Sequence, residues 1–247
     1  MTSTSVKKLS RLASPKPFSL EELSKYIDPV LLKDLGKIQI DTFKRSHLTI
    51  VFWDLGGFSS LVKDLQEFPE AIILFLKKYF ETAINIIKKY QGVLDKFIGD
   101  GVLAYFGYNS EEKGNPRQAI LAAIEFRNKF PKIKDEIIRA CAIYGKDANK
   151  INLRCAMHNG VAYIHYFNSR TRNTINLIGS TINLASRFED LANDGEIIIS
   201  KEIERMTKGK FDLEKIKIED RLKAKGHTNK IKSFPEIDTV YNVISPT

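Results

Sequence analysis

Two apolar segments that each end at an aspartate constrain the fold of this chain most. Residues 48–54 are rich in β-branched and aromatic side chains and end at Asp54. Residues 93–98 reach Asp100 within a Gly-Asp-Gly sequence, and the apolar residues 102–106 follow at once. A short connection containing Asp-Gly between two apolar runs predicts a β-hairpin. We therefore expect Asp54 at the end of a strand and Asp100 at a hairpin tip.

Two carboxylates held on neighbouring strand ends suit a pair of hard divalent cations, which take oxygen ligands from proteins and phosphates. Two such cations stabilise the attacking and leaving oxygens of a phosphoryl displacement. Taken singly, Asp54 is better explained as a helix cap and Asp100 as a turn residue, because aspartate is common at both places. The metal hypothesis therefore depends on the pair.

Three stretches resemble the motifs of the class III nucleotidyl cyclases. They are Phe52–Ser59, Lys96–Gly107 and Ile178–Arg187. The first two resemble the metal motifs of the family, and the third resembles its transition-state motif. They occur in the family's order, the resemblance covers roughly residues 48–243, and the three together are highly specific.

The resemblance implies a metal site and a catalytic helix. Asp54 and Asp100, with the main-chain carbonyl of Leu55, would hold two divalent cations, Mg²⁺ or Mn²⁺. Asn183 would orient the ribose and Arg187 would stabilise negative charge on the α-phosphate. These last two residues are four apart, so they share a face of a predicted helix.

Base selection in the family rests on two positions, which here are Lys96 and Asn176. Family members with lysine at the first position select adenine, whereas guanylyl cyclases carry glutamate there. At the second, adenylyl cyclases usually carry Asp or Thr. Asn176 can both accept and donate hydrogen bonds, so it leaves the preference for ATP over GTP open.

Two further segments can be compared with the family, one near the C-terminus and one in a loop. Lys225 resembles the family's triphosphate-binding lysine, with Lys223 as a close competitor. His165 and Asn168 stand where the family commonly has glycines, so we expect this loop to be shaped differently, because glycine permits backbone conformations that other residues resist.

The resemblance also implies a homodimer with ATP as substrate. Each composite site would take Asp54 and Asp100 from one chain and the remaining site residues from its partner. These partner residues would be Lys96, Asn176, Asn183, Arg187 and Lys225. Such a pair of equivalent sites fits a symmetric dimer.

Composition excludes several other classes. The 247 residues are 43% hydrophobic and carry a net charge of +9, but the lysines are scattered, so we expect no nucleic-acid partner. No apolar run is long enough for a transmembrane segment, and the N-terminus lacks the apolar core of a signal peptide, so we expect a cytoplasmic protein. Cys141 and Cys155 lack the spacing of a zinc site and are expected to be reduced.

The pattern of elements predicts an α+β fold with a ferredoxin-like βαββαβ core of palm type, extra C-terminal strands and a short N-terminal helical segment. The predicted domains are a disordered tail (1–17), the helical segment (18–45) and the catalytic domain (46–247). Three details belong to this prediction. Residues 151–157 and 161–167 form a hairpin, Pro131 interrupts a helix that begins at Pro116, and residues 221–243 are strand-like around a loop.

The leading hypothesis is an adenylyl cyclase that converts ATP to 3′,5′-cyclic AMP and pyrophosphate by attack of the ribose 3′-hydroxyl on the α-phosphate. A guanylyl or mixed-specificity cyclase is the alternative within the same class. A catalytically silent module that binds nucleotide on a cyclase fold is the alternative from another class. Turnover of nucleotide separates them.

Overall fold

A computed structural model describes Leu31 and residues 43–110, 113–168, 173–226 and 230–247. The chain divides into two compact units, Met1–Ile38 and Gln39–Thr247. The predicted tail and most of the N-terminal helical segment lie outside the described residues, although Leu31 is helical. The first strand begins at Phe43, three residues before the predicted start of the catalytic domain, and the domain boundaries themselves stay predictions.

The second unit contains eight strands and six helices among its described residues. The strands are β1 (Phe43–Gly56), β2 (Val93–Ile98), β3 (Gly101–Phe106), β4 (Asn152–Asn168), β5 (Asn173–Ile178), β6 (Ile197–Ile199), β7 (Phe211–Lys217) and β8 (Thr239–Pro246). The helices are α1 (Phe58–Asp64), α2 (Pro69–Lys89), α3 (Pro116–Ile143), α4 (Ser180–Glu189), α5 (Lys201–Met206) and α6 (Ile218–Ala224).

One mixed sheet joins all eight strands in the order β2-β3-β1-β4-β6-β8-β7, and β5 pairs with β4 beside this path. β1 is antiparallel to both β3 and β4, whereas β4 and β6 are parallel. The elements β1, α1–α2, β2, β3, α3 and β4 follow one another as βαββαβ. The predicted palm-type α+β core with additional C-terminal strands is therefore confirmed.

Side-chain alternation along β1 separates the core from the opposite face of the sheet. Val51, Trp53 and Leu55 are buried in a cluster with side chains of α2 and α3. The alternate positions, Phe52 and Asp54, are half-buried, because successive side chains of a strand point to opposite faces. This alternation places Asp54 on the face away from α2 and α3.

Helix α2 covers that core with an apolar stripe. It buries Ala71, Phe75, Tyr79, Ala83, Ile86 and Ile87, which recur at helical spacing. Trp53 of β1 lies 4.7 Å from Phe126 of α3, measured between ring centroids, and Tyr79 lies 5.3 Å from the same ring. These aromatic contacts fix the two helices against the strand that carries Asp54.

Two helix and strand predictions are wrong in an informative way. Residues 151–157 and 161–167 do not form a hairpin but belong to the single strand β4, because β1 pairs with it without a break from Gly56 to Phe43. Pro131 does not interrupt α3, since Phe130 and Ile133 on either side of it are both buried in the core. Packing of that face offsets the loss of the hydrogen bond that the proline cannot donate.

The C-terminal prediction also needs correction. Residues 218–224 form the helix α6 rather than part of a strand, with Ile218 and Leu222 buried one turn apart. The final strand β8 begins only at Thr239. Among the described residues, no helix is both long enough and apolar enough to cross a membrane.

A buried imidazole beneath α4 makes fold stability depend on pH. His158 of β4 is buried against Phe188, and its Nδ1 lies 3.6 Å from Oε2 of Glu202 on α5. Burial lowers the pKa of His158, Glu202 opposes this change and His47 adds to it. As pH falls, His158 therefore becomes protonated at a higher pH in the unfolded chain than in the folded chain.

We predict that the free energy of unfolding falls as pH drops from 7.5 through the ordinary histidine pKa of about 6.5 toward 5. A depressed folded-state pKa contributes stability above the unfolded pKa, and this stability is lost as pH falls. Urea denaturation at several pH values should show a shallower decline for His158→Gln than for the unmodified chain. Parallel declines in the two proteins would contradict the assignment.

Candidate active site

The structure brings Asp54 and Asp100 together on one edge of the sheet. β1 and β3 pair with Trp53 opposite Val102, so the turn between β2 and β3 lies beside Asp54. A Cβ placed on Gly101 would be 3.7 Å from Oδ1 of Asp54. Burial, and after it the charge of Asp54, raises the pKa of Asp100. The two carboxylates therefore act on each other electrostatically, and their shared metal site stays a prediction.

The surroundings of this pair fit a divalent cation. The carboxylate of Asp100 accepts a hydrogen bond from the main-chain N–H of Leu55. Tyr79 lies beneath the pair, and its pKa is raised well above the usual value, first by burial and then by Asp54 and Asp100. Two close carboxylates of like charge repel each other unless a cation or a proton neutralises one of them.

Two carboxylates alone do not complete the coordination of a divalent cation. In residues 43–110, 113–168, 173–226 and 230–247 no group of three or more His, Cys, Asp or Glu side chains is arranged to hold a metal ion. A site with two carboxylates suits a cation that takes its remaining ligands from main-chain carbonyls, water and substrate phosphates. The donor set therefore fits Mg²⁺ or Mn²⁺ bound together with a nucleotide.

Glu189 is a third carboxylate at this site that the sequence analysis missed. It is the last residue of α4, and its side chain shares a hydrogen bond with Asp54. Burial, and then the charges of Asp54 and Asp190, raise the pKa of Glu189 to about 7. The position of Glu189 two residues after Arg187 does not indicate a site residue in the sequence. Only the packing of α4 against β1 reveals its contact with Asp54.

Arg154 is a second missed residue. It lies directly opposite Asp54 in the β1–β4 pairing and forms an ion pair with Asp194, with Nε 3.2 Å from Oδ1. Its guanidinium passes so close to Gly56 that a Cβ there would lie 2.7 Å from it. The register of β4 against β1 was needed to find this arginine, and the predicted hairpin break had hidden it.

The structure separates the two lysines that the sequence left in competition. Lys223 is exposed and pairs with Glu219 on the outer face of α6. Lys225 is half-buried, and its Nζ donates to the carbonyl oxygens of Asp190 and Ala192, both at 2.8 Å. These carbonyls lie just beyond α4, so Lys225 is attached to the helix that carries Arg187.

Lys225 also belongs to a group of cations. Burial, and then the charges of Arg154 and Arg221, lower the pKa of Lys225, while Glu189 and Glu196 oppose this change. Arg221 is neutralised by Glu196 at 2.7 Å. Arg154 and Lys225 thus form a basic region next to the carboxylate pair, which suits a polyphosphate.

Asn183 and Arg187 both lie on α4, where their side chains are exposed. Arg187 forms one ion pair with Asp190, with Nη1 3.5 Å from Oδ2. Leu184, Ala185 and Phe188 fill the opposite, buried face of the helix. Both predicted catalytic side chains are therefore free of the core and accessible to a substrate.

The two predicted base-reading residues lie on different parts of the sheet. Lys96 on β2 is opposite Leu103, which is opposite Phe52 of β1, so Lys96 shares the face that carries Asp54. Asn176 lies on β5, and β3, β1 and β4 stand between β2 and β5 in the strand pairing.

The loop predicted around His165 and Asn168 is instead extended strand. Both residues belong to β4, and they pair with Asn176 and Asn173 of β5. The non-glycine residues with positive φ in the described parts are Gln91, Asn115 and Ser233, so neither His165 nor Asn168 is among them. Extended backbone accepts any side chain, which explains how this chain departs from glycine here without strain.

Comparison with known proteins assigns the family. Residues 40–234 match the adenylate and guanylate cyclase catalytic domain. This match covers most of the chain, so the protein belongs to that family.

Individual relatives agree with this assignment. The chain is 27% identical to the adenylyl cyclase CyaB from P. aeruginosa, with a TM-score of 0.69 over 83% of this chain and 96% of that one. It resembles the guanylyl cyclase Cya2 at 19% identity with a TM-score of 0.69, covering 85% of this chain and 96% of that one, a likeness that shows the fold alone. An adenylate cyclase of Anabaena cylindrica is 27% identical over 168 residues, which are 68% of this chain and 32% of that protein.

This chain spans about a third or less of the curated relatives that it matches. It covers 32% of the Anabaena cylindrica protein, 9% of an adenylate cyclase of Dictyostelium discoideum and 21% of adenylate cyclase 1 of Rhizobium meliloti. Those relatives are therefore much longer than this chain, and the match concerns one part of each.

We predict that Mn²⁺ raises the melting temperature of the unmodified chain by several degrees but leaves that of Asp100→Asn unchanged, because a cation that binds only the folded state stabilises it. Without divalent cations the same variant should melt at a higher temperature than the unmodified chain, since one of two repelling carboxylates is gone. Differential scanning fluorimetry with and without Mn²⁺ measures both effects.

The matched control is Asp64→Asn, which removes an exposed carboxylate from α1. It should keep the full response to Mn²⁺. An equal rise in melting temperature for Asp100→Asn would place the cation elsewhere.

Proposed function

We propose that this chain is an adenylyl cyclase catalytic domain that converts ATP to 3′,5′-cyclic AMP and pyrophosphate. The observation that carries the proposal is the electrostatic interaction between Asp54 and Asp100 beside the basic pair Arg154 and Lys225. A carboxylate pair next to two cations suits a metal-bound triphosphate. Membership of the cyclase family and the similarity to adenylyl cyclases support the same reaction.

Each group has a role in this proposal. Asp54, Asp100 and the carbonyl of Leu55 would hold two divalent cations, Mg²⁺ or Mn²⁺, which when bound lower the pKa of the ribose 3′-hydroxyl and neutralise the phosphates. Arg154 and Lys225 bind the triphosphate through charge-assisted hydrogen bonds.

The exposed face of α4 acts on the reacting groups. Asn183 orients the ribose so that its 3′-hydroxyl is in line with the α-phosphate. Arg187 donates to the phosphate oxygens as their charge grows, and a fixed donor of this kind contributes about 10²–10³-fold to the rate. The bond from the α-phosphate to the leaving pyrophosphate breaks as the bond to the 3′-oxygen forms, and the proton of the 3′-hydroxyl passes to solvent.

The contacts of Asn176 favour adenine. Its Nδ2 donates to Oγ1 of Thr174 at 2.9 Å, which directs the amide nitrogen along β5. The carbonyl oxygen of Asn176 is then the atom presented to a base, and it accepts from the exocyclic amine of adenine, whereas guanine presents an acceptor at that position. Lys96 donates to N1 of adenine, so the two residues together prefer ATP.

An exposed apolar surface supports the homodimer. Tyr163 pairs with Ile178 across β4 and β5, and Phe43 lies 5.7 Å from Tyr163 between ring centroids. Phe43 is 66% exposed and Ile178 51% exposed, and Phe167 of β4 continues the surface. Apolar surface of this kind is typical of an interface, and Asn176 lies on the same face of β5 as Ile178.

We predict cyclic AMP as the product when the purified protein is incubated with ATP and Mn²⁺ or Mg²⁺ and the products are separated by chromatography. The Asp54→Ala/Asp100→Ala double variant should form none, because it cannot hold the cations. Arg187→Ala should lower the rate about 10²–10³-fold. GTP should give little cyclic GMP.

Other products would change the conclusion. Cyclic GMP in a yield comparable to cyclic AMP would make the protein a mixed-specificity cyclase. A folded protein that binds nucleotide but forms no cyclic product with either metal would be a silent binding module.

A complementation experiment tests the composite site. We predict that Asp54→Ala and Arg187→Ala chains are each inactive alone, while their mixture regains activity through one intact site in each heterodimer. The ideal recovery is about a quarter of the unmodified rate, since half of randomly mixed dimers are heterodimers and each has one of two sites. A mixture that stays inactive would overturn the shared site.

Two further mixtures assign Lys225. Recovery with Asp54→Ala and Lys225→Ala chains places the lysine in the same half-site as Arg187. Recovery with Arg187→Ala and Lys225→Ala chains instead places it with Asp54 of its own chain.

A further inference from the structure

Asp95 is a buried carboxylate that the proposed reaction does not use. It precedes Lys96 in β2, and its side chain is 3% exposed while that of Lys96 is 44% exposed. Oδ2 of Asp95 has no hydrogen-bond partner within the part of the chain that the structure describes. A buried, incompletely paired carboxylate costs stability, so its presence calls for a physical explanation.

A β-bulge explains how Asp95 approaches its neighbour. In a regular strand, consecutive side chains point to opposite faces, and their charged ends lie far apart. The β2–β3 register shifts between Leu94 and Lys96, so Leu94 is opposite Ala104 and Lys96 is opposite Leu103. Asp95 is the extra residue of this bulge, and a bulge can redirect a side chain in this way.

The redirected carboxylate lies next to one cation. Nζ of Lys96 is 3.3 Å from Oδ2 of Asp95, which is an ion-pair distance without the alignment of a hydrogen bond. Burial raises the pKa of Asp95 and Lys96 opposes this change, and no other charged group contributes among the described residues. The electrostatic partner of Asp95 is therefore the residue proposed to read the base.

We propose that Asp95 is a positioning residue for base recognition, which holds the ammonium group of Lys96 so that it points at N1 of adenine. This inference rests on the proposed function. An ammonium group has three donors, so contact with Asp95 leaves others for the base. A flexible lysine loses rotamer freedom when it binds, and holding it beforehand reduces that cost. Asp95 itself is too buried to touch the nucleotide.

The test is a double-mutant cycle of Asp95→Asn and Lys96→Met, read by the dissociation constants of 3′-deoxy-ATP and 3′-deoxy-GTP with Mn²⁺. These analogues lack the attacking hydroxyl, so binding is measured without turnover. Asp95→Asn should weaken 3′-deoxy-ATP binding about tenfold, because Lys96 loses the charged partner that holds it, and change 3′-deoxy-GTP binding much less. In the Lys96→Met background, Asp95→Asn should have no further effect.

Two measurements guard against a merely structural role. Asp135→Asn makes the same chemical change on the exposed surface of α3 and should leave both dissociation constants unchanged. Acetylation of surface lysines, followed by mass spectrometry, should modify Lys96 faster in Asp95→Asn than in the unmodified chain, because the ammonium group is released from its contact.

The outcomes distinguish the two proposals. An equal loss of binding for both nucleotides, or a loss that persists in the Lys96→Met background, would overturn the positioning role of Asp95. A chain that binds 3′-deoxy-ATP as described but forms no cyclic AMP from ATP would overturn the proposed catalysis and keep the positioning role. A chain that binds neither analogue would overturn both.

Discussion

The pairing of β1 with both β3 and β4 is the constraint on which the rest of the structure depends. It fixes which side chains of β1 enter the core with α2 and α3 and leaves Asp54 on the other face. The same register brings the turn with Asp100 to one side of Asp54 and Arg154 to the other. A slip of one residue would bury the carboxylate and expose Trp53, so the apolar core and the site are specified by one alignment.

The site concentrates groups of like charge that the fold must hold together. Asp54, Asp100 and Glu189 lie on one side, where burial, and then the charge of Asp54, raise the pKa of Asp100 and of Glu189. Arg154 and Lys225 lie on the other side, where burial, and then the charges of Arg154 and Arg221, lower the pKa of Lys225. Such arrangements lower stability without ligands, and they are typical of sites whose charges are completed by a substrate and its cations.

Much of the fold was predictable because its signals are local. The Asp-Gly turn, the β-branched run of β1 and the apolar stripe of α2 each follow from neighbouring residues, and the structure has all three. The hairpin break at residues 158–160 was wrong because the polar triplet there is matched by partners on β1, a contact made far along the chain. In the same way, Nε2 of His47 donates to Oδ1 of Asn159 at 2.6 Å, which gives a partner on β1 to a buried polar side chain that the sequence suggested for a turn.

The site was predictable in its motif residues and not in its supporting ones. Asp54 and Asp100 carry a sequence signal because each ends an apolar strand, whereas Arg154 and Glu189 occupy ordinary positions on a strand and a helix. Only strand register reveals that Arg154 is opposite Asp54, and only helix packing reveals that Glu189 lies beside it. Contacts between elements distant in the chain therefore limited the prediction more than the identity of any single residue did.

The two positions proposed to read the base show why residue type alone underdetermines specificity. An asparagine at position 176 can present either a donor or an acceptor, but its hydrogen bond to Thr174 decides the orientation of the amide. A lysine at position 96 can adopt many rotamers, but the bulge in β2 places Asp95 against its ammonium group. In both cases a neighbour on the same strand restricts the conformations that the side chain could otherwise adopt. Pre-organisation of this kind improves discrimination because the wrong base meets fixed donors and acceptors that it leaves unpaired.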